Sequence, residues 1–123
     1  MQKYDDILTE YGAAWVARDA DRVMKLIARN DLEYYETNFD PPTTDWDKVY
    51  KLWEIVPQNQ KDVTWQHEIL MTDGNSVVVH AKIARTLLPS QIKQRIDAVF
   101  LFKFNDEDKI NYFQQWRSVE EEK

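Results

Sequence analysis

Cysteine, glycine and histidine are scarce in this sequence. Its 123 residues include no cysteine, two glycines (Gly12 and Gly74) and two histidines (His67 and His80). Without cysteine there is no disulfide, thiolate nucleophile or zinc finger, and two isolated glycines exclude a glycine-rich loop that cradles phosphate. The histidines lack the spacing of paired metal ligands. We therefore expect neither a metal site nor a cofactor.

Basic clusters and long apolar runs are also missing. The net charge is −6, and no group of Lys and Arg forms the basic face that nucleic acid requires. The first residues, MQKYDDILTEY, lack the apolar run of a signal peptide, and no stretch approaches the roughly 18 apolar residues of a membrane span. We expect a cytoplasmic protein that binds neither nucleic acid nor membrane, and the length predicts one domain over 1–123.

Aromatic residues, by contrast, are abundant: five Trp, six Tyr and five Phe. They favour a well-filled core, an interface or a ligand cavity. The clearest pattern predicts antiparallel strands over 91–104 and 109–119, joined by a polar turn. The first alternates one set (Ile96, Ala98, Phe100, Phe102, Phe104) with another (Arg95, Asp97, Val99, Leu101, Lys103). Strand periodicity places these sets on opposite faces of the sheet.

Six further elements follow from periodicity and from breaking residues. Apolar spacing predicts a helix over 3–18, a second helix capped by Asp19 or Asp21 and ending near 29–30, and a third opened by a Thr44–Asp47 capping box and closed by Pro57. Strands are predicted over 32–37, 63–72 and 76–88, with 57–62 as a polar connection. The layout is α+β: three N-terminal helices packed on a curved four- to five-stranded, mainly antiparallel sheet.

Three local patterns accompany this order of elements. They are Tyr11 and Trp15 before the RDAD segment at 18–21, ND at 30–31 leading into YYE at 34–36, and FKFN at 102–105 followed by KI at 109–110. Together they resemble the nuclear-transport-factor-2-like superfamily, which includes ketosteroid isomerases and polyketide-cyclase-like proteins. Asp108 stands where that family usually has glycine, and Asp tolerates the left-handed conformation required there.

The resemblance implies a cone-like fold with a pocket between the helices and the sheet. Its isomerase site has a tyrosine on the first helix, a carboxylate ending the first strand and a carboxyl on the third long strand. Tyr11 and Glu36 match the first two. Phe100 occupies the third position, and Asp97 lies on the opposite face unless a bulge turns it inward. A steroid isomerase is therefore not expected.

Further candidates come from strand positions. His67 and His80 are structural histidines or acid–base groups, and Arg85 is an anion anchor if its face lines the cavity, otherwise an ordinary ion-pair residue. On the last strand the same resemblance implies that Asn111, Phe113, Gln115 and Arg117 face inward, and Tyr112, Gln114 and Trp116 outward. Inward amides and a guanidinium favour a polar or anionic small-molecule ligand. On the third helix, Trp46, Tyr50 and Trp53 form either a lid or core.

Three functions remain open. The first is a small-molecule-binding domain whose ligand contacts Trp53, Phe100, Phe102, Phe113, Gln115 and Arg117. The second is an isomerase, dehydratase or cyclase with Glu36 as base, Tyr11 as hydrogen-bond donor and His67, Gln115 or Arg117 as auxiliary group.

The third is a dimeric interaction module whose pocket is filled by Phe100, Phe102, Phe104 and Phe113; absence of a cavity above about 300 Å³ would favour it. The outer face, with Val99, Leu101, Tyr112 and Trp116, is too apolar for a wet sheet. We therefore expect a homodimer through the sheet.

Overall fold

A computed structural model describes residues 2–122, whose helices and strands follow the predicted order. The elements are α1 (Gln2–Val16), α2 (Ala20–Met24), β1 (Glu33–Tyr34), α3 (Trp46–Ile55), a 3₁₀ turn (Val56–Asn59), β2 (Gln60–Asp73), β3 (Ser76–Leu87), β4 (Lys93–Phe104) and β5 (Ile110–Glu122). The strand order is β1-β5-β4-β3-β2, with β1 parallel to β5 and the other neighbours antiparallel. The predicted α+β architecture, three helices on a curved, mainly antiparallel sheet, is confirmed. None of the helices in this described range is long and apolar enough to cross a membrane.

The inner face of β4 forms the aromatic centre of the core, which we call the aromatic spine. Its inward residues Ile96, Ala98, Phe100, Phe102 and Phe104 are each at most 3% exposed, as the alternation predicted. Tyr11 of α1 packs on this spine, with its ring centroid 5.6 Å from that of Phe102 in an edge-to-face contact. Such aromatic contacts stabilise a core beyond the area they bury. Helix α1 is therefore held across the open face of the sheet.

Strand β4 pairs without interruption around Asp97, which is opposite Lys82 on β3 and Ser118 on β5. No bulge turns Asp97 inward, so it lies on the outer face and its carboxylate contacts His80 at 2.7 Å. The third carboxyl of the isomerase pattern is therefore missing from the inner face, as the position of Phe100 predicted.

Helix α2 is shorter than predicted. Asp19 caps it, accepting a hydrogen bond from the Arg22 backbone N–H, but the helix ends at Met24 and not near 29–30. Ile27 instead forms a parallel bridge with Ile110, and the Ala28 N–H donates to the Ile110 carbonyl at 2.8 Å. Because the sheet edge occupies these backbone groups, they are not available to continue the helix.

Three other boundaries also differ from prediction. Strand β1 is confined to Glu33–Tyr34 within the predicted 32–37. Helix α3 is capped by Asp45, whose side chain accepts from the Asp47 N–H at 2.9 Å, so the expected Thr44–Asp47 capping box is wrong. Strand β2 begins at Gln60, inside the segment predicted as a polar connection.

The start of β5 contains a register shift that the alternation does not reveal. Lys103 pairs with Tyr112 but Phe104 pairs with Ile110, so one residue is inserted in β5. Ile110 enters the core, and Asn111 lies at a surface groove instead of facing the pocket as predicted. The preceding turn has Asp108 at φ +59°, which confirms the expected left-handed conformation.

Candidate functional site

A pocket of about 240 Å³ lies between α1, the end of α3 and the inner face of the sheet; we call it the cone pocket. Its lining comprises Tyr11, Trp15, Tyr34, Tyr35, Glu36, Leu52, Trp53, Val56, Pro57, Gln60, Ile83, Arg85, Ile96, Phe100, Phe113, Gln115 and Arg117. The volume is below the usual lower bound of roughly 300 Å³ for ligand sites. It therefore suits a small ligand, because the core aromatic side chains fill much of the space between the helices and the sheet.

One wall of the cone pocket is aromatic. Tyr34 stacks on Phe113 with centroids 4.4 Å apart and planes 9° apart, and Trp53 meets Tyr11 edge to face at 5.6 Å. This stack is a consequence of the parallel pairing of Tyr34 with Phe113 across β1 and β5. Of the predicted ligand-binding residues, Trp53 and Phe113 thus lie on this wall beside Phe100.

The pKa values of two tyrosine hydroxyls at this wall are raised. Burial raises the pKa of Tyr11 well above its ordinary value, and Tyr34 adds to the effect. Burial also raises the pKa of Tyr34; the neighbouring Trp53 indole N–H opposes this and the Glu36 charge adds to it. Within residues 2–122, however, the buried Trp53 Nε1 makes no hydrogen bond of normal geometry. Both tyrosines therefore stay protonated at neutral pH and act only as neutral hydrogen-bonding groups.

The sheet side of the cone pocket is cationic, with Arg85 on β3 and Arg117 on β5; we call these two residues the arginine pair. Arg85 is half-buried, and both burial and the Arg117 charge lower the pKa of its guanidinium. Arg85 Nε donates to Gln94 Oε1 at 2.8 Å. Within residues 2–122 neither arginine forms an ion pair. Arg85 thus lines the cavity, and its role as an anion anchor stays a prediction.

Glu36 lies at the pocket but in exposed surroundings. Its side chain is solvent-exposed, and its Oε2 accepts a hydrogen bond from Thr43 Oγ1 at 2.6 Å. A carboxylate becomes an effective base near neutral pH when apolar side chains enclose it. Glu36 and Tyr11 therefore share the pocket, but Glu36 lacks that enclosure.

Two predicted site residues lie outside the pocket. His67 Nε2 is 2.8 Å from Asp5 Oδ1, and Trp65 Nε1 donates to His67 Nδ1 at 3.0 Å. This network assigns the Nε2–H tautomer, so His67 is a structural link between α1 and β2. Phe102 is fully buried and makes edge contacts with Tyr11 and Phe113, so it supports the pocket from beneath and does not line it.

His80 lies on the outer face of the sheet and does not line the cone pocket. Its Nε2 is 2.7 Å from Asp97 Oδ1, and its Nδ1 is 3.6 Å from Glu68 Oε1. On α3, Trp46 and Tyr50 line a separate surface groove, where the Arg29 guanidinium stacks on Trp46 at 3.8 Å. Trp53 is thus the one residue of this helix trio to line the cone pocket. Among the described residues, no group of three or more His, Asp or Glu side chains is placed to hold a metal ion.

Gln60 was not identified from the sequence. It is 3% exposed and its Oε1 accepts from Trp15 Nε1 at 3.0 Å, while its backbone carbonyl accepts from Arg18 at 3.0 Å. Its position between Pro57 and Asp62 reads as loop, so the sequence offers no sign of its burial. Trp15, which lies within the helix predicted over 3–18, marks this corner of the pocket.

Comparison with known proteins gives one family and a common architecture. The model of the SnoaL-like domain matches residues 8–113. Comparison with curated protein sequences gives no match. Similar solved structures include SalBIII, an epoxide hydrolase/cyclase-like enzyme of pyran ring formation in the polyether salinomycin. It has a TM-score of 0.81 and 19% identity over 96% of this chain and 95% of that one.

Two other structures resemble the chain at similar levels. A hypothetical protein from Catenulispora acidiphila, with a ketosteroid isomerase-like fold and in complex with trimethylamine, has a TM-score of 0.75 and 15% identity, covering 89% of this chain and 83% of its own. The Δ5-3-ketosteroid isomerase from a Mycobacterium species has a TM-score of 0.78 and 8% identity, covering 96% and 98% respectively. At these identities the likeness establishes the fold alone.

Proposed function

Because the chain belongs to the SnoaL-like domain family of the nuclear-transport-factor-2-like superfamily, we propose that its cone pocket binds a small organic molecule. The observation that carries this proposal is the meeting of an aromatic wall and the arginine pair in one concavity. Ligand sites combine apolar walls with a few placed polar groups in this way. The trimethylamine held by the Catenulispora protein is a precedent for a small ligand on this fold.

A blocking substitution tests the proposal. Gln115 lines the cone pocket, whereas its neighbour Gln114 lies on the opposite face of β5. We expect Gln115→Trp to abolish binding of small aromatic compounds, followed by ligand-observed NMR, and Gln114→Trp to leave it intact. Native mass spectrometry of the purified protein would supply candidate ligands as excess mass. Equal binding by both variants would place the ligand elsewhere.

An acid–base enzyme is the second candidate, because Glu36 and Tyr11 line the same pocket. In this case Glu36 accepts a proton from the substrate and the neutral Tyr11 hydroxyl donates a hydrogen bond to the developing oxyanion. Glu36→Gln keeps the shape and removes the base. Once a substrate is known, we expect this variant to lose turnover and retain the fold; full turnover would eliminate Glu36 as the base.

We further propose that the protein forms a homodimer through the outer face of the sheet. Val99 lies opposite Trp116 on this face, and the two are 36% and 48% exposed. Leu101 lies beside Val78 on the neighbouring strand. Adjacent apolar side chains on a sheet face favour association, because water contact with such surface is unfavourable. Phe102 and Phe104 are fully buried and fill the inner end of the cone. This filling agrees with the third function, a dimeric interaction module that acts through this interface.

A further inference from the structure

Three polar side chains lie side by side across β3, β4 and β5 beside the cone pocket. Arg85 pairs in register with Gln94, and Gln94 with Glu121. Gln94 Nε2 donates to Glu121 Oε2 at 2.7 Å, and Gln94 Oε1 accepts from Arg85 Nε at 2.8 Å. Gln94 is only 9% exposed. A buried amide with two satisfied ends has a defined orientation.

The two hydrogen bonds that link Glu121, Gln94 and Arg85, which we call the relay, fix the orientation of the Gln94 amide. An ionised carboxylate only accepts hydrogen bonds, so Glu121 selects the NH₂ end of Gln94 and turns its carbonyl oxygen toward Arg85. The carbonyl then holds the Nε edge of the guanidinium. Within residues 2–122 the Nη atoms of Arg85 have no hydrogen-bond acceptor. The relay therefore fixes one edge of Arg85 and leaves its terminal nitrogens available to a ligand.

The lining of the cone pocket has more positive than negative side chains. Arg85 and Arg117 line it with no carboxylate partner among the described residues, and Glu36 is the one acidic side chain in its lining. Glu36 is engaged by Thr43 at the exposed rim. The lining as a whole carries one net positive charge. A ligand with a single negative charge would neutralise it and relieve the repulsion within the arginine pair.

The remaining lining restricts the rest of the ligand. The wall built by Trp53, Tyr34 and Phe113 is aromatic, and the cavity holds only about 240 Å³. We propose that the cone pocket is selective for small aromatic or apolar carboxylates, with the carboxylate held by the arginine pair and Arg85 positioned by Gln94 and Glu121. This inference rests on the proposed binding function. A carboxylate is a small monoanion, and its two oxygens match the two parallel N–H groups of a guanidinium.

The experiment compares acids with their neutral amides. Binding of benzoate, phenylacetate, benzamide and phenylacetamide to the 123-residue protein is measured by titration calorimetry at pH 7 and low salt. We expect each acid to bind roughly ten- to a hundredfold more tightly than its amide, the range for a charge-assisted hydrogen bond. Phenylphosphonate is the third probe; if it binds more tightly than benzoate, the assignment to carboxylates is wrong.

Arginine variants identify the source of the preference. Arg85→Met and Arg117→Met should each reduce the preference for acid over amide to a few-fold or less, because each variant loses more affinity for the acid than for the amide. Arg117 is exposed, so its substitution does not endanger the fold. Arg95→Met is the matched control, because Arg95 lies on the outer face in an ion pair with Glu120; this variant should keep the full preference.

Glu121→Ala separates positioning from simple charge. If Glu121 acted only through its charge, its removal would tighten binding of benzoate. If Glu121 orients Gln94 and thereby Arg85, its removal should weaken benzoate binding several-fold and leave benzamide unaffected. Tighter binding overturns the positioning role.

Two failures are distinguishable. Equal affinity for acids and amides, or a preference that survives both arginine substitutions, overturns the carboxylate inference while pocket binding stands. Absence of binding by every probe, in a wild-type protein shown to be folded by circular dichroism, overturns the proposed function together with this inference.

Discussion

The backbone of Gly12 on α1 lies directly against the indole ring of Trp65 on β2. A Cβ atom at position 12 would be 2.1 Å from Trp65 Cδ1, far inside any real contact. The indole is held in place because its Nε1 donates to His67. Glycine is thus required here by the close approach of helix and strand, and this contact sets the distance of α1 from the sheet.

Replacing Gly12 with Ala is therefore expected to destabilise the protein. In an ordinary helix interior this change stabilises by about 0.5–1 kcal/mol; here overpacking against Trp65 should cost about 1–3 kcal/mol. Urea unfolding followed by circular dichroism measures the difference. Ala13→Gly, at the next and exposed position, is the control for helix propensity alone. A stabilised Gly12→Ala protein would show that Trp65 moves freely.

His67 is expected to matter for stability and not for ligand binding. His67→Ala leaves the Trp65 indole N–H without its acceptor and removes the contact with Asp5. Loss of a partner for a partly buried donor costs about 1–3 kcal/mol, measurable as a lower urea midpoint. Binding to the cone pocket should be unchanged. A selective loss of binding or turnover in a fully stable variant would restore the auxiliary role predicted from the sequence.

Alkaline pH is expected to destabilise the fold through Tyr34. Its pKa is raised in the folded protein, mainly by burial, so above about pH 10 the unfolded chain loses a proton that the folded protein retains. Stability is therefore full below pH 10 and falls as pH rises, by at most about 1.4 kcal/mol per pH unit for this group.

Tyr34→Phe should reduce the loss of stability between pH 9 and 11. Guanidinium unfolding at several pH values gives this slope independently of the absolute stability of the variant. Tyr11, which is also buried and shifted in the same direction, should preserve part of the slope. An unchanged slope in Tyr34→Phe would show that its hydroxyl is reached by water in the folded protein.

Leu101→Arg tests the proposed dimer. The side chain lies on the outer face of β4 beside Val78, where a charge buried between two subunits would be unpaired and costly. We expect the variant to be a folded monomer by light scattering after gel filtration. Ile55→Arg, at a 62% exposed apolar position on α3, controls for the change in surface polarity. A dimeric Leu101→Arg protein would exclude this face as the interface.

Glu36→Gln is expected to alter the pocket electrostatically. Within residues 2–122, Glu36 is the one carboxylate of the lining. Its removal raises the positive charge that faces an anion, so benzoate should bind a few-fold more tightly while benzamide is unaffected. Calorimetric titration checks the difference. Weaker benzoate binding would indicate that Glu36 holds the ligand directly or organises the arginine pair.

The local sequence pattern was sufficient to predict most of the helices and strands and the faces that they bury. The alternation of β4 predicted which face carries Phe100 and which carries Asp97, and apolar spacing over 3–18 predicted the helix that carries Tyr11. These predictions succeed because side-chain direction follows backbone geometry with a period of 2 or 3.6 residues. The resemblance to the superfamily drew on the same order of elements.

Contacts between distant segments decided the rest. Helix α2 ends where Ile27 meets Ile110, and Asn111 leaves the pocket because β5 contains an inserted residue. His67 is captured by Asp5, 62 residues away, and the relay from Glu121 to Arg85 joins three strands. The sequence by itself determined the elements and their buried faces. Only the tertiary structure decided which polar groups meet at the cone pocket, because hydrogen bonds and charges act over a few ångströms between residues whose proximity depends on the folded chain.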